Sequence, residues 1–112
     1  MIIGLTISIF LFFPSNYVLA NEIPQKKIDN LSKNFSRKFS KTFCNTSNFG
    51  ISDEGAIEFA LGETSKQFSK NKYLNYLDLD DVSKKIITNI ENECQVFDFP
   101  VEELSKLQEI IN

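Results

Sequence analysis

Ile28, Leu31, Phe35, Phe39 and Phe43 recur at steps of three and four, the interval at which one face of an α-helix returns. At 100° per residue these five cover a single face, and Lys33, Arg37 and Lys41 fall on the opposite side. The spacing predicts a helix from Pro24 to about Phe43. The same period continues nearly to the end of the chain, so the expected fold is an all-α bundle of three or four helices. Only Gln95–Phe99 reads as a possible strand, and one strand alone makes no sheet.

The second helix is expected to start at Ser52, whose hydroxyl can cap the first turn, with Asp53 and Glu54 at the positive end of the dipole. Its inner face should be Ile57, Leu61, Thr64 and Phe68. Phe59 points the other way, on a side otherwise lined by Gly55 and Gly62. Interior glycines cost about 1 kcal/mol each relative to alanine. Close approach by another helix would offset that cost, bury Phe59, and make this helix the centre of the bundle.

Tyr73–Leu79 reads as either an extension of that helix or a connector. A third helix then opens on Asp78, Asp80 and Asp81, with Leu79, Val82, Ile86 and Ile90 inward. A short last helix follows Pro100, which suits a first-turn position, with Val101, Leu104, Leu107 and Ile111 along it.

The N-terminus belongs to a different class of segment. The first twenty residues carry no Lys, Arg, Asp or Glu, while the remaining 92 carry all 27 charged side chains. Ile2–Phe13 has the length of a signal-peptide hydrophobic region and is short for a membrane span. Pro14-Ser15-Asn16 breaks it, and Val18-Leu19-Ala20 places small residues before a cut. Residues 1–20 are therefore expected to be a signal peptide, and 21–112 a single helical domain beginning at Asn21. Against this stands the absence of Lys and Arg before the apolar run, and an uncleaved anchor is the alternative.

Export bears on the two cysteines. Cys44 and Cys94 lie fifty positions apart, fit no metal-ligand spacing, and have no histidine to work with anywhere in the chain. In an oxidising compartment a disulfide is the expected outcome. Continued helically, Cys44 would land on the basic side of the first helix. That helix is thus expected to stop near Phe43, so that each cysteine terminates a helix.

Catalysis finds little support in these residues. Without histidine the usual acid–base side chain is missing, and no serine has an evident base partner. Glu58 and Glu63 are a carboxylate pair in name only, and the cysteines lack CxxC spacing. Asp78-Leu79-Asp80-Asp81 departs from the EF-hand pattern, with Val82 where an oxygen ligand should stand, and helix capping explains it more simply. No catalytic residue, metal or cofactor is assigned, and a non-enzyme is expected.

Charge is distributed unevenly. Residues 21–45 hold six basic and two acidic side chains, whereas 46–112 hold six basic and thirteen acidic. Lys26, Lys33, Arg37 and Lys41 form a stripe along the first helix that could dock on an anionic lipid or acidic protein surface. A solvated face is the simpler alternative. The net charge of −3 in an exported chain argues against nucleic acid. Phe49, Phe59, Phe97 and Phe99 are less readily placed; they are expected to complete the core, and if exposed beside one another they would instead form a partner patch.

Thr42-Phe43-Cys44-Asn45, followed by Phe49-Gly50-Ile51-Ser52, Gly55-Ala56, Phe59-Ala60 and Gly62-Glu63-Thr64, resembles small exported cyanobacterial proteins of unknown function. The resemblance covers roughly residues 30–100. It implies a periplasmic or thylakoid-lumen location and service to a membrane complex there, photosynthetic in the second case, and it carries over no active site. The leading expectation is a non-catalytic accessory protein that docks through its first helix or its spare aromatics, with Lys26, Lys33, Arg37, Lys41 and Phe59 as the partner-binding residues. The alternatives are a small-ligand or enzyme-like protein with a pocket between helices near Phe59, and a secreted inhibitor or toxin.

Overall fold

The computed structural model describes residues 24–96 and 98–112. The expected signal peptide and the placement of Phe97 lie outside those residues. Among the described residues four helices follow one another: α1 (Gln25–Asn48), α2 (Asp53–Phe68), α3 (Leu79–Glu93) and a short α4 (Leu107–Ile111). A 3₁₀ turn, Leu74–Tyr76, sits in the α2–α3 connection, and a longer 3₁₀ stretch, Val101–Lys106, leads into α4. No strand occurs among the described residues, and 95–96 and 98–100 are irregular. Among the described residues no helix is long and apolar enough to cross a membrane.

The centre of this bundle is α1, in place of the expected α2. It packs on α2 along one flank and on α3 along the other, while α2 and α3 hardly touch. Two seams on α1 account for this. The predicted row of Leu31, Phe35, Phe39 and Phe43 is buried, the three phenylalanines completely. Beside it runs a second row at steps of four, Ser32, Ser36, Ser40 and Cys44, also buried. Small side chains in that row bring α3 close. Ser32 Oγ donates to Asp81 Oδ2 (2.9 Å), Ser36 Oγ reaches the Val82 carbonyl (3.5 Å), and Ser40 Oγ lies 3.4 Å from the Ile86 carbonyl while donating to Ser36 O (2.8 Å). Contacts that advance together in number on both helices mean that α1 and α3 run parallel.

The second seam also corrects the end of α1. The helix continues through Cys44 to Asn48, five residues beyond the expected stop. Cys44 falls on the seam facing α3, so a helical Cys44 is buried at 4% exposure and not displayed on the basic side. Thr46 returns its hydroxyl to the Thr42 carbonyl (2.7 Å), which accommodates a turn-prone residue inside the helix. The chain breaks only at Phe49-Gly50, where Gly50 adopts φ +86°. Cys94, by contrast, does cap α3, and the Cys44–Cys94 disulfide ties it to α1 with a Cα–Cα distance of 5.6 Å. Phe99 packs edge-on against Phe43 beside this bridge (5.1 Å, 83°).

Helix α2 starts as the sequence requires, with Ser52 Oγ accepting from the Gly55 amide (3.2 Å). It runs antiparallel to α1, so that Phe68 at its end meets Phe35 near the start of α1 (5.5 Å between ring centres). Its inner face holds Ile57, Thr64 and Phe68 with Leu61 at the edge, and it includes Ala56 and Ala60, both fully buried. Close approach to α1 is thus made by the alanines. The glycine side stays uncovered: a Cβ at Gly62 would meet nothing within 4 Å, and Phe59 is 53% exposed.

Tyr73–Asp78 is a connector that buries Leu74 and Leu77, and Leu79 already belongs to α3. In α3, Val82, Ile86 and Ile90 face the core. Asp78 occupies the cap position without a side-chain capping bond, and Asp81 reaches across to Ser32 and Lys85. Leu104, Leu107 and Ile111 are buried where the C-terminal segment packs on α2, α3 and the connector between them, while Val101 stays half exposed at the start of the 3₁₀ stretch.

Candidate functional site

Two surfaces stand apart from an ordinary solvated exterior, on opposite flanks of α1. The first lies between α1 and α3. Lys33 and Arg37 border it from α1, and Lys84, Lys85, Thr88 and Asn89 border it from α3, with Ser36 at the floor. Parallel packing places the first half of α1 beside the first half of α3, and cations from both helices therefore face one groove. Lys85 is bound to Asp81, and Ser32 completes a triangle with both (Lys85 Nζ to Ser32 Oγ, 3.1 Å). The Lys85 hydrogen bond, with lesser help from Ser32 and the charges of Lys85 and Lys84, holds the Asp81 carboxyl below its ordinary range, and desolvation is the main opposing effect. Lys33, Arg37 and Lys84 make no ion pair among the described residues.

Of the stripe read from the sequence, Lys33 and Arg37 reach this groove. Lys26 lies exposed toward the start of α1, and Lys41, one turn beyond Arg37 on the same line, is exposed outside the groove. The stripe alone could not announce Lys84 and Lys85, since they join it only through the α1–α3 packing. The charge pattern also opposes the helix dipoles. The first turn of α1 contains no acid but has Lys26 and Lys27, and the last turns of α1 and α3 contain no base. At the start of α1 side chains and dipole therefore add up to positive charge, whereas Asp80 and Asp81 in the first turn of α3 complement its dipole.

The second surface is apolar and lies at the α1–α2 corner. Phe49 is 85% exposed, Ile51 47%, and Phe59 joins them from the second turn of α2. With Lys38, Thr42, Asn45 and Thr46 of α1, and Gly55 and Glu63 of α2, they bound an open groove of about 660 Å³. The space beside Phe59 is thus a surface groove and not a cavity sealed between helices. Of the four phenylalanines without a clear core position, Phe49 and Phe59 come together here, whereas Phe99 is partly buried against Phe43.

The carboxylates named from the sequence are held elsewhere. Glu58 binds Lys106 (2.7 Å), which also holds Glu103 (2.8 Å), and Glu63 binds Lys66 (3.3 Å). The hydrogen bonds that Lys106 donates to Glu103 and then to Glu58 raise its pKa above the ordinary value. Both arrangements fasten neighbouring turns or helices on an exposed surface, and Glu63 also lines the α1–α2 groove. No protein-family model matches this chain, and neither a curated protein nor a solved structure is significantly similar to it.

Proposed function

We propose that this chain is an exported, non-catalytic accessory protein that docks on an anionic surface of a membrane complex through the α1–α3 groove. The observation that carries the reading is the meeting of Lys33 and Arg37 with Lys84 and Lys85. Three of those four cations have no ion-pair partner among the described residues. Unpaired cations gathered from two helices raise the local potential, steer an acidic partner, and bind it in a salt-dependent manner. The Cys44–Cys94 disulfide supports an oxidising compartment. The charge-free leader and the resemblance to small exported cyanobacterial proteins favour periplasm or thylakoid lumen over the extracellular medium.

The test combines Lys33→Glu, Arg37→Glu and Lys84→Glu. These exposed side chains contribute little to folding, so the melting curve should hold within a few degrees. Retention on washed host membranes, salt-sensitive for the unaltered protein, should be lost in the variant. Equal retention of both proteins would remove the groove as the docking surface. Recovery of the unaltered protein mainly in the medium would favour the secreted inhibitor or toxin.

A second reading, a carrier of a small apolar ligand, draws on the groove beside Phe59. Saturable binding of an apolar dye, abolished by Phe59→Ser, would favour it.

A further inference from the structure

The α1–α2 corner has a chemistry of its own, independent of the cationic groove. Its aromatic and aliphatic side chains are too exposed to serve the core: Phe49 at 85% contributes almost nothing to it. Three large apolar residues sharing one rim on so small a domain form the kind of cluster that anchors a partner. The rim is also held in shape. Ile51 folds back over the start of α2, and a Cβ at Gly55 would stand 3.0 Å from Ile51 Cγ2 and 3.3 Å from Ser52 Oγ. The glycine is what lets Ile51 lie there.

Length and charge define the occupant. From Lys38 to Phe49 the α1 bank spans eleven residues, about 16 Å at the helical rise, or three turns of a helix laid alongside. An amphipathic helix presents apolar side chains at i, i+3 or i+4 and i+7 over that distance. The field at the corner is negative. The carbonyl end of α1 has no base in its last turn, and Asp53 and Glu54 bring two full negative charges against the partial positive charge of the α2 start, while Glu63 on the far side is paired with Lys66. Lys38 is the single cation along the groove, at the end remote from Phe49.

We propose that the groove at the α1–α2 corner receives a cationic amphipathic helix of a partner protein. Phe49, Ile51 and Phe59 take its apolar face, while Asp53, Glu54 and the end of α1 face its Lys and Arg residues. The same acids disfavour an anionic bilayer. They also disfavour a two-fold pairing of this corner with a second copy, which would place negative end against negative end.

The probe is a synthetic 14-residue helix with leucines at i, i+3, i+4 and i+7 and lysines elsewhere, titrated into the purified protein by fluorescence anisotropy. A second peptide replaces every lysine with glutamate. Saturable one-to-one binding of the Leu/Lys peptide is expected, weakened roughly tenfold or more by Phe49→Ser and by Phe59→Ser. Lys33→Glu with Arg37→Glu should leave it intact, which separates this site from the docking groove. Because Phe49 is exposed, Phe49→Ser keeps the fold and the far-ultraviolet spectrum checks it. Equal binding of the Leu/Glu peptide would overturn the charge argument. Binding unchanged in both serine variants, or no saturable binding, would overturn the site. A sedimenting dimer of the protein alone, dispersed by Phe49→Ser, would assign the groove to a second copy instead.

Discussion

Removing the disulfide should be the most damaging covalent change this domain can suffer. Cys44 and Cys94 are separated by 50 positions, so the bridge closes a loop that takes in the end of α1, all of α2 and all of α3. In the chain-entropy treatment a loop of that length restricts the unfolded ensemble by about 4 kcal/mol at 25 °C. Most of this should be realised, because Cys44 is embedded in α1 and the serine seam already holds α3 alongside. For a domain of this size about 4 kcal/mol corresponds to a fall in Tm of roughly 15–30 °C. The assay is urea unfolding of Cys44→Ala/Cys94→Ala beside the oxidised parent, followed by circular dichroism. The midpoint should drop and the m-value should rise, since the unlinked unfolded chain exposes more surface. Reduced parent protein should behave as the double variant does, which removes the small packing effect of losing buried sulfur from the comparison. A loss below about 1 kcal/mol, with m unchanged, would refute the reasoning and mean that the unfolded chain stays compact without the bridge.

Thr64→Val should stabilise the protein by about 1 kcal/mol in the same assay, because the Thr64 hydroxyl is buried without a hydrogen-bond partner among the described residues. Gly62→Ala should also stabilise, by about 0.5–1 kcal/mol, since its Cβ meets open space. Gly50→Ala should destabilise by about 1 kcal/mol, because Gly50 sits at φ +86°. The Asp81 carboxyl is depressed in the folded state, so its contribution is present above its unfolded pKa and is lost as pH falls through the lower folded value. Being half exposed, the pair with Lys85 contributes less than about 1 kcal/mol. Parent and Asp81→Asn melting curves should accordingly differ slightly at pH 7 and converge in strong acid. Phe39→Ala, at the fully buried middle of α1, should cost about 3–5 kcal/mol and leave little folded protein at 37 °C.

The candidate surfaces were only half legible in the sequence. Lys33 and Arg37 could be read as a stripe because helical neighbours recur at i+4, but Lys84 comes from another helix and required the packing. Phe49 and Phe59 could be recognised as aromatics without a core position. Their meeting with Ile51 depends on the corner at Gly50 and the clearance at Gly55. The serine seam was hidden for a different reason. Serine is abundant in this chain and usually solvent-facing, so its recurrence at 32, 36 and 40 carried no apolar signal.

The helices could be read locally, because the 3.6-residue period of large apolar side chains and the cap at Ser52 are properties of neighbouring residues. The sequence also determined the pairing of its two cysteines, there being no other partner for either. Tertiary structure decided which helix is central, how far α1 extends, and that the glycine face of α2 looks outward. Those outcomes depend on small residues. Ser32, Ser36, Ser40, Ala56 and Ala60 set how closely two backbones can approach, and only the facing helix reveals which small side chains are in contact.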